Sequence, residues 1–382
     1  MRSWGFMEGE RPFILALGVL VTLGLVFLSS ASAPLAYERF GSRSAYVVHQ
    51  LVSGVLPGIV AFCVTRRLRT SVLQRAAIPL LVLSIVLLLL VFVPGLGESH
   101  HRTRSWLSLG PVTFQPAEIA KLGAILAFAA WATVRRPSWF DLTSWTRGFF
   151  PFLGVLGVVL GLIAFQPDPG TMSICIAIAM GMAIAAGLRW SHLAALVAGA
   201  AGALAVLIAA APYRLARLTV FLHPELDPRG IGYQVNQALL AVGSGGIIGV
   251  GLGHSRQKFS FLPEVISDSI FAIIAEEVGF LGSLLFLAAI AWVIALVVRR
   301  AMTATDAFER LVLVGIATWW GAQSVVNIGA IIGLMPLTGL PLPFVSYGGT
   351  SMVMALAAAG IVARISANDR DGERARMSWR KR

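Results

Sequence analysis

Ten apolar runs, near residues 12–32, 45–65, 76–94, 116–134, 149–165, 171–188, 192–212, 269–298, 309–334 and 348–365, constrain this chain before any other feature does. Each approaches the ~20 residues that an α-helix needs to cross the hydrocarbon core of a bilayer. Backbone N–H and C=O groups find no water there, so a crossing segment must pair them internally. With 57% hydrophobic residues, 13% charged residues and a mean hydropathy of +0.81, the chain carries more apolar surface than a water-soluble domain can hide. The expected fold is an all-α integral membrane protein. It forms a bundle of about ten transmembrane helices, in one polytopic domain over residues 1–382. The two cysteines, Cys63 and Cys175, both lie in apolar runs, which argues against a disulfide framework or a cysteine metal cluster.

The net charge of +12 is accounted for by topology, with no need of nucleic acid. An even number of spans puts both termini on one side, and 20 of the 30 Lys and Arg residues fall there. They include Arg66, Arg67, Arg69 and Arg75 between the second and third runs, Arg135 and Arg136, and the seven cations from Arg364 onward. The positive-inside rule makes that side cytoplasmic, and a minor share of the charge suits anionic lipid headgroups. Residues 366–382 read as a basic cytoplasmic tail. Ile14–Leu28 followed by Ser-Ser-Ala-Ser-Ala33 also resembles a signal peptide with its cleavage site. Its removal would put the Arg66–Arg75 cluster outside, so the first run is expected to stay as a span.

Three polar segments converge on the outer face: 98–116, 213–268 and 335–349. Connections this long without a domain of their own are usually functional or disordered. The middle one, an extracytoplasmic loop, ends in Leu262-Pro-Glu-Val-Ile-Ser-Asp268, and Glu276 and Glu277 follow inside the eighth run. A carboxylate in hydrocarbon is costly unless it is paired or faces water, so Glu264 and Asp268 mark a site at a membrane surface. Glu276 is expected to bond backbone or another span. Glu118 and Lys121, three residues apart, share a helical face. They form either a neutralising pair that lets a helix pack or part of the site. Asp168, in Gln166-Pro-Asp-Pro-Gly170, reads as a rigid turn with an Asx-type hydrogen bond; the alternative is that it faces the outer cavity. Eight glycines between Gly230 and Gly253 suggest a segment at the interface or re-entering the membrane, where backbone passes close to protein or ligand. Its N–H groups, with Arg229, Arg256 and Lys258 nearby, could hold phosphate. Gly249-Val-Gly-Leu-Gly253 lacks the βαβ context of a dinucleotide loop. His100, His101, His192 and His254 have no metal-site spacing.

Five segments in order carry a family resemblance: Ser29–Ala33, Arg104-Ser-Trp-Leu-Ser-Leu-Gly-Pro-Val-Thr-Phe-Gln-Pro-Ala-Glu-Ile-Ala-Lys121, Gln166-Pro-Asp-Pro-Gly-Thr171, Leu262-Pro-Glu264 with Asp268, and Pro341-Leu-Pro-Phe-Val-Ser-Tyr-Gly-Gly349. Together they resemble the shape, elongation, division and sporulation (SEDS) proteins, the FtsW, RodA and SpoVE family. Gly230-Ile-Gly-Tyr-Gln234 and Gly251-Leu-Gly-His-Ser-Arg-Gln-Lys258 look more like the FtsW/SpoVE branch than RodA. The family pattern reads His-Thr-Asp where this chain has Ile266-Ser267-Asp268, which removes an imidazole from any shared proton transfer but keeps the acid.

The resemblance implies a peptidoglycan glycosyltransferase in the cytoplasmic membrane of a bacterium, with both termini cytoplasmic and the active site extracytoplasmic. It would polymerise lipid II, the undecaprenyl-diphosphate-linked disaccharide-pentapeptide, into a growing glycan strand for division or elongation. Implied partners are a class B penicillin-binding protein transpeptidase and other divisome or elongasome membrane proteins. The reaction needs a base for the acceptor hydroxyl, positive charge for the departing diphosphate and an apolar groove for lipid tails. Asp268 is the candidate base. Arg104, Lys121, Arg229 and Lys258 are the candidate diphosphate ligands. Glu264 joins Asp268 as a hard ligand if a divalent cation, Mg2+ or Mn2+, takes part. Glu118, Asp168, Glu276 and Ser346 are supporting residues. A lipid II flippase or transporter would also want intramembrane charge and a lipid groove, and a non-enzymatic scaffold of the division machinery would need neither. Glycan chains formed from labelled lipid II by purified protein separate the first reading from these two.

Overall fold

The structure, a computed structural model, describes residues 10–100, 103–110, 112–133, 144–209, 219–223, 226–227 and 230–380. Of the residues singled out above, His101, Arg135, Arg136 and Arg229 lie outside this set. The main helices are α1 (Glu10–Phe40), α2 (Ala45–Arg67), α3 (Thr70–Leu90), α4 (Pro116–Thr133), α5 (Trp145–Phe165), α6 (Pro169–Ala185), α7 (Trp190–Ala209), α8 (Ile231–Ser244), α9 (Ile270–Thr303), α10 (Ala307–Ile331) and α11 (Gly349–Arg380). Each of the ten apolar runs is occupied by one of them. Among the described residues seven helices are long and apolar enough to cross a membrane: α1, α2, α3, α5, α9, α10 and the Gly349–Ala367 part of α11. The expected spans 116–134, 171–188 and 192–212 correspond to α4, which carries Glu118 and Lys121, to the 17-residue α6 and to α7. The segment 366–382, expected as a basic tail, continues α11 as helix to Arg380.

One feature departs from a purely helical reading. Between α3 and α4 the strands β1 (Gly97–His100), β2 (Thr103–Leu109) and β3 (Val112–Phe114) pair antiparallel in the order β1-β2-β3. Gly110, at φ +66°, turns β2 into β3 so that Leu107 opposes Phe114. Alternation of helix direction puts this sheet, the α1–α2 turn and the starts of α4, α6, α9 and α11 at one end of the bundle. Hydrogen bonds across elements fasten that end: Gln50 of α2 to Gly348, Gln115 to Thr350 and Gln115 to Asp168. At the other end, Arg66 pairs with Glu10 at 2.7 Å and Thr70 donates to Glu309 at 2.6 Å.

The first run is built into the core. α1 continues through Pro34, Ala31 and Ser32 are fully buried, and Ser30 Oγ donates to Glu277 of α9 at 2.6 Å. Ser-Ser-Ala-Ser-Ala33 therefore lies inside a packed helix, where a peptidase has no extended chain to cut.

α9 is broken. Gly279 has φ 67° and ψ −169°, a conformation open essentially to glycine alone. The break frees carbonyls above it and N–H groups below it, and the glycine-rich segment before α9 takes both. Val250 and Gly251 donate to the carbonyls of Glu276 and Glu277 at 3.0 Å each, while Phe280 and Leu281 donate to Gly246 and Ile247 at 2.9 and 3.1 Å. The two backbones cross with no room for side chains. A Cβ on Gly249 would sit 2.2 Å from the Glu277 carbonyl oxygen, and one on Gly279 would sit 2.2 Å from the Gly249 nitrogen. Gly245 and Gly249 of this segment thus serve a backbone-on-backbone contact within the protein.

Buried apolar side chains fall into two clusters, a large one through most of the bundle and a smaller one that includes Leu81, Ala127, Val159 and Cys175. A cavity of about 210 Å³ lies between them, bounded by α3, α4, α5 and α6. Left empty, a void of that size would cost on the order of 5 kcal/mol at ~24 cal/mol per Å³.

Substituting Gly249→Ala or Gly279→Ala should each lower stability by at least ~2 kcal/mol, from strain and from the clash at the crossing. Gly243→Ala, where a Cβ meets nothing within 4 Å, should change it little. Thermal unfolding in one detergent compares the three. Equal melting of Gly249→Ala and Gly243→Ala would show that the crossing does not hold the break.

Candidate active site

Asp268 lies just before α9, whose N-cap is Ser269, and is 9% exposed. Three elements hold it there. From α10, Asn327 Nδ2 donates to the Asp268 carbonyl oxygen at 2.8 Å and to the Leu340 carbonyl at 2.7 Å. Ser269 Oγ donates to Asp268 Oδ1 at 3.3 Å, and itself accepts from Gln234 Nε2 of α8 at 3.1 Å. The Tyr347 N–H donates to the Ile266 carbonyl at 2.8 Å. Ile266, standing where the family pattern has histidine, is buried at 8% exposure, so an apolar side chain fills that position.

Glu264 turns the chain toward Asp268. Its φ is +54°, its carbonyl accepts from the Ser267 and Ser269 N–H groups, and its Oε2 accepts from Ser267 Oγ at 2.6 Å. Ser260 and Phe344 also have positive φ, at 63° and 66°. Non-glycine residues in this region cost roughly 1–3 kcal/mol each and persist where their surroundings over-determine them, which is common at functional sites.

The segment 335–348 is strapped against Asp268 by amides and hydroxyls. Gln323 Nε2 donates to the Pro341 carbonyl at 2.7 Å, and the Leu342 N–H donates to Ser346 Oγ at 2.8 Å. Gln50, fully buried on α2, accepts from the Gly348 N–H at 3.0 Å and donates to the Ser346 carbonyl at 3.4 Å. The Tyr347 hydroxyl is 2.8 Å from His49 Nδ1, and burial pushes its pKa up to about 12, so it stays protonated and able to donate. Ser346 therefore closes a turn of the strap.

Two expected diphosphate ligands are placed elsewhere. Lys121 Nζ is fully buried, 2.7 Å from Glu118 Oε1 and 2.9 Å from Gln323 Oε1, and lies over the Trp319 ring. Lys258 Nζ is buried against Glu277 at 2.9 Å and Ser30 at 3.1 Å. Both cations are consumed by partners inside the bundle, because an unpaired charge there would be far more costly than a paired one. Glu118 holds Lys121, and Glu276 accepts from Ser255 Oγ and the Arg256 and Gln257 N–H groups, closing the loop beside the α9 break. Asp168 caps α6, its Oδ1 accepting from the Thr171 N–H at 2.9 Å and its Oδ2 from Gln115 at 3.2 Å. Arg104, on β2, donates from Nη2 to the Val93 carbonyl at 3.2 Å, leaving further N–H groups of its guanidinium for an anion.

Sequence reasoning by charge passed over the residues that position Asp268: Asn327, Ser269, Gln234, Gln323 and Gln50. The available sign was Trp319, Gln323 and Asn327 at i, i+4 spacing inside an apolar run, one polar stripe on α10. Among the described residues no three His, Cys, Asp or Glu side chains gather as a metal site.

Residues 11–371 match the FtsW/RodA/SpoVE family model, described as "Cell cycle protein". The chain is 37% identical over 348 residues to "Stage V sporulation protein E" of Bacillus subtilis (strain 168), covering 91% of this chain and 94% of that protein. It is 36% identical over 360 residues to "Probable peptidoglycan glycosyltransferase FtsW" of Trichlorobacter lovleyi, covering 94% and 93%. Among solved structures it is similar to a chain described under "Structural coordination of polymerization and crosslinking by a peptidoglycan synthase complex", with TM-score 0.75, 29% identity and coverage of 94% and 98%. It is similar also to the rod shape determining protein RodA of Thermus thermophilus, with TM-score 0.67, 28% identity and coverage of 96% and 97%. With its helical bundle and nearly its whole length matched, the chain belongs to the FtsW/RodA/SpoVE family of multi-pass membrane proteins.

Proposed function

We propose that this chain is a peptidoglycan glycosyltransferase that polymerises lipid II at the outer face of the cytoplasmic membrane, with Asp268 as its general base. The observation that carries the reading is one carboxylate held at an end of a membrane bundle, fixed through its backbone by Asn327 and through its side chain by Ser269. Relatives named as probable peptidoglycan glycosyltransferases support the reaction class. The wealth of arginine at the other end, Arg66, Arg67, Arg69 and Arg75, supports a cytoplasmic location for that end and for both termini.

The chemistry follows from the placement. Asp268 takes the proton of the acceptor sugar's 4-hydroxyl as its oxygen bonds to the donor's anomeric carbon. The bond from that carbon to the lipid diphosphate breaks, and the diphosphate leaves with the bonding electron pair. Arg104 meets the departing charge from the sheet side. A class B transpeptidase is the proposed partner, supported by the similarity to a chain of a complex that coordinates polymerization and crosslinking.

Asp268→Asn keeps the shape of the side chain and removes the base, so glycan formation from labelled lipid II should fall by ~10²–10⁴-fold with melting unchanged. Full activity in that variant would refute the assignment, and lipid II translocation without chains would favour a transporter.

Lys258→Met should act differently, leaving Glu277 buried without its cation. Its expected effect is a loss of ~3–5 kcal/mol in stability, partly regained by adding Glu277→Gln. A raised KM for lipid II at unchanged melting would instead make Lys258 a substrate ligand.

A further inference from the structure

The cavity between the two apolar clusters plays no part in the chemistry above. Along α4 it extends from Lys121 to Trp131, about 15 Å at 1.5 Å per residue. Apart from Lys121, the sulfur atoms of Cys175 and Met182 and the indole of Trp131, its lining side chains are hydrocarbon. A buried water needs two to four polar partners, and this wall offers too few to keep one. The mouth opens between α3 and α5, where Ile78 and Val155 are 53% and 41% exposed on the outer surface of the bundle. At that depth in a membrane-spanning protein the surrounding solvent is lipid chain, so the void has a ready filler.

The end of the bundle remote from Asp268 adds charge to this mouth. Arg75 precedes Ile78 by three residues on α3, Arg147 lies in the first turn of α5, and both are exposed. Neither helix carries an acidic residue to neutralise them. We propose that the cavity holds one acyl chain of an anionic phospholipid whose headgroup rests on Arg75 and Arg147, on the face opposite the candidate active site. The seated chain packs against the stem of Lys121. The ammonium of Lys121 holds Gln323, and Gln323 holds the Pro341 carbonyl, so the lipid supports the strap beside Asp268 from within the membrane. The proposal rests on membrane placement and is independent of the glycosyl transfer.

The test uses the full chain in phosphatidylcholine nanodiscs doped with phosphatidylglycerol that carries a mid-chain diazirine. After photolysis, peptide mapping by mass spectrometry should place label on cavity-facing residues such as Ala127 and Ala179. Ala179→Phe, filling the cavity from α6, and Ala127→Leu, filling it from α4, should each lose that label. Labelling of the outward α9 surface at Phe280, Leu281, Leu284 and Leu285 should persist, which reports an intact fold. A filled variant that loses the α9 pattern has unfolded, and the other then decides. Arg75→Gln combined with Arg147→Gln should erase the preference over a phosphatidylcholine probe. An unlabelled cavity in the wild type, or label that survives both fillings, would overturn the site. Cavity label from a diazirine polyprenyl diphosphate but not from phosphatidylglycerol would overturn the phospholipid as occupant. Because no readout involves glycan chains, an inactive enzyme would leave this result intact.

Discussion

In hydrocarbon, a backbone group released from a helix has to find its partner within the chain, and this requirement organises the protein around the break in α9. Gly279 interrupts the ladder, and the freed groups are met by the segment from Gly246 to Gly251. That segment can answer only because Gly249 and Gly279 present no side chain where the two backbones cross. The loop that follows is therefore anchored at the break, and Glu276, Lys258 and Glu277 tie its next residues to α9 and α1. Asp268 stands at the end of this anchored loop, and α9 returns from it. A catalytic candidate is thus placed by the same contacts that make a broken helix tolerable in a membrane.

Charge inside the bundle is spent on architecture, and the positioning near Asp268 is done by neutral groups. Lys121 and Lys258 each face a glutamate and one uncharged partner. Around Asp268, amides from α2 and α10 hold backbone carbonyls and an N–H, and the amide of Gln234 on α8 donates to the Ser269 hydroxyl. A neutral donor fixes geometry without placing a net charge beside the carboxylate, as a lysine in the same position would. The division leaves Arg104, at the end of the bundle, as the described candidate that can still offer positive charge to an incoming anion.

Much of this arrangement could be read from the residues. Apolar runs of spanning length located the helices, because burial in lipid demands a continuous run. The acidic segment before α9 stood out for its rarity in such a chain, and the eight glycines between Gly230 and Gly253 pointed to close backbone approach. The three-stranded sheet could not be read, because its strands are short and its pattern lies inside a loop. Nor could the break at Gly279, since a lone glycine in an apolar run is compatible with an unbroken helix and only the crossing partner, thirty residues earlier in Gly249, reveals it. Lys121 was legible as a possible partner of Glu118, three residues away, but Lys258 was not legible as paired, for its partners come from sequence positions 19 and 228 residues away. Amides such as Asn327 carry no formal charge and so drew no notice, although burying them unpaired is also costly.

The contact among Ser30, Lys258 and Glu277 bears on how the molecule is made. Ser30 leaves the ribosome early, and Glu277 follows only when nearly three-quarters of the chain has been synthesised. Until the eighth apolar run enters the bilayer, the ammonium that unites them has no carboxylate to meet, so the assembly of this end of the bundle cannot finish span by span. The nascent protein must keep its first helix close at hand, unclosed, for most of translation.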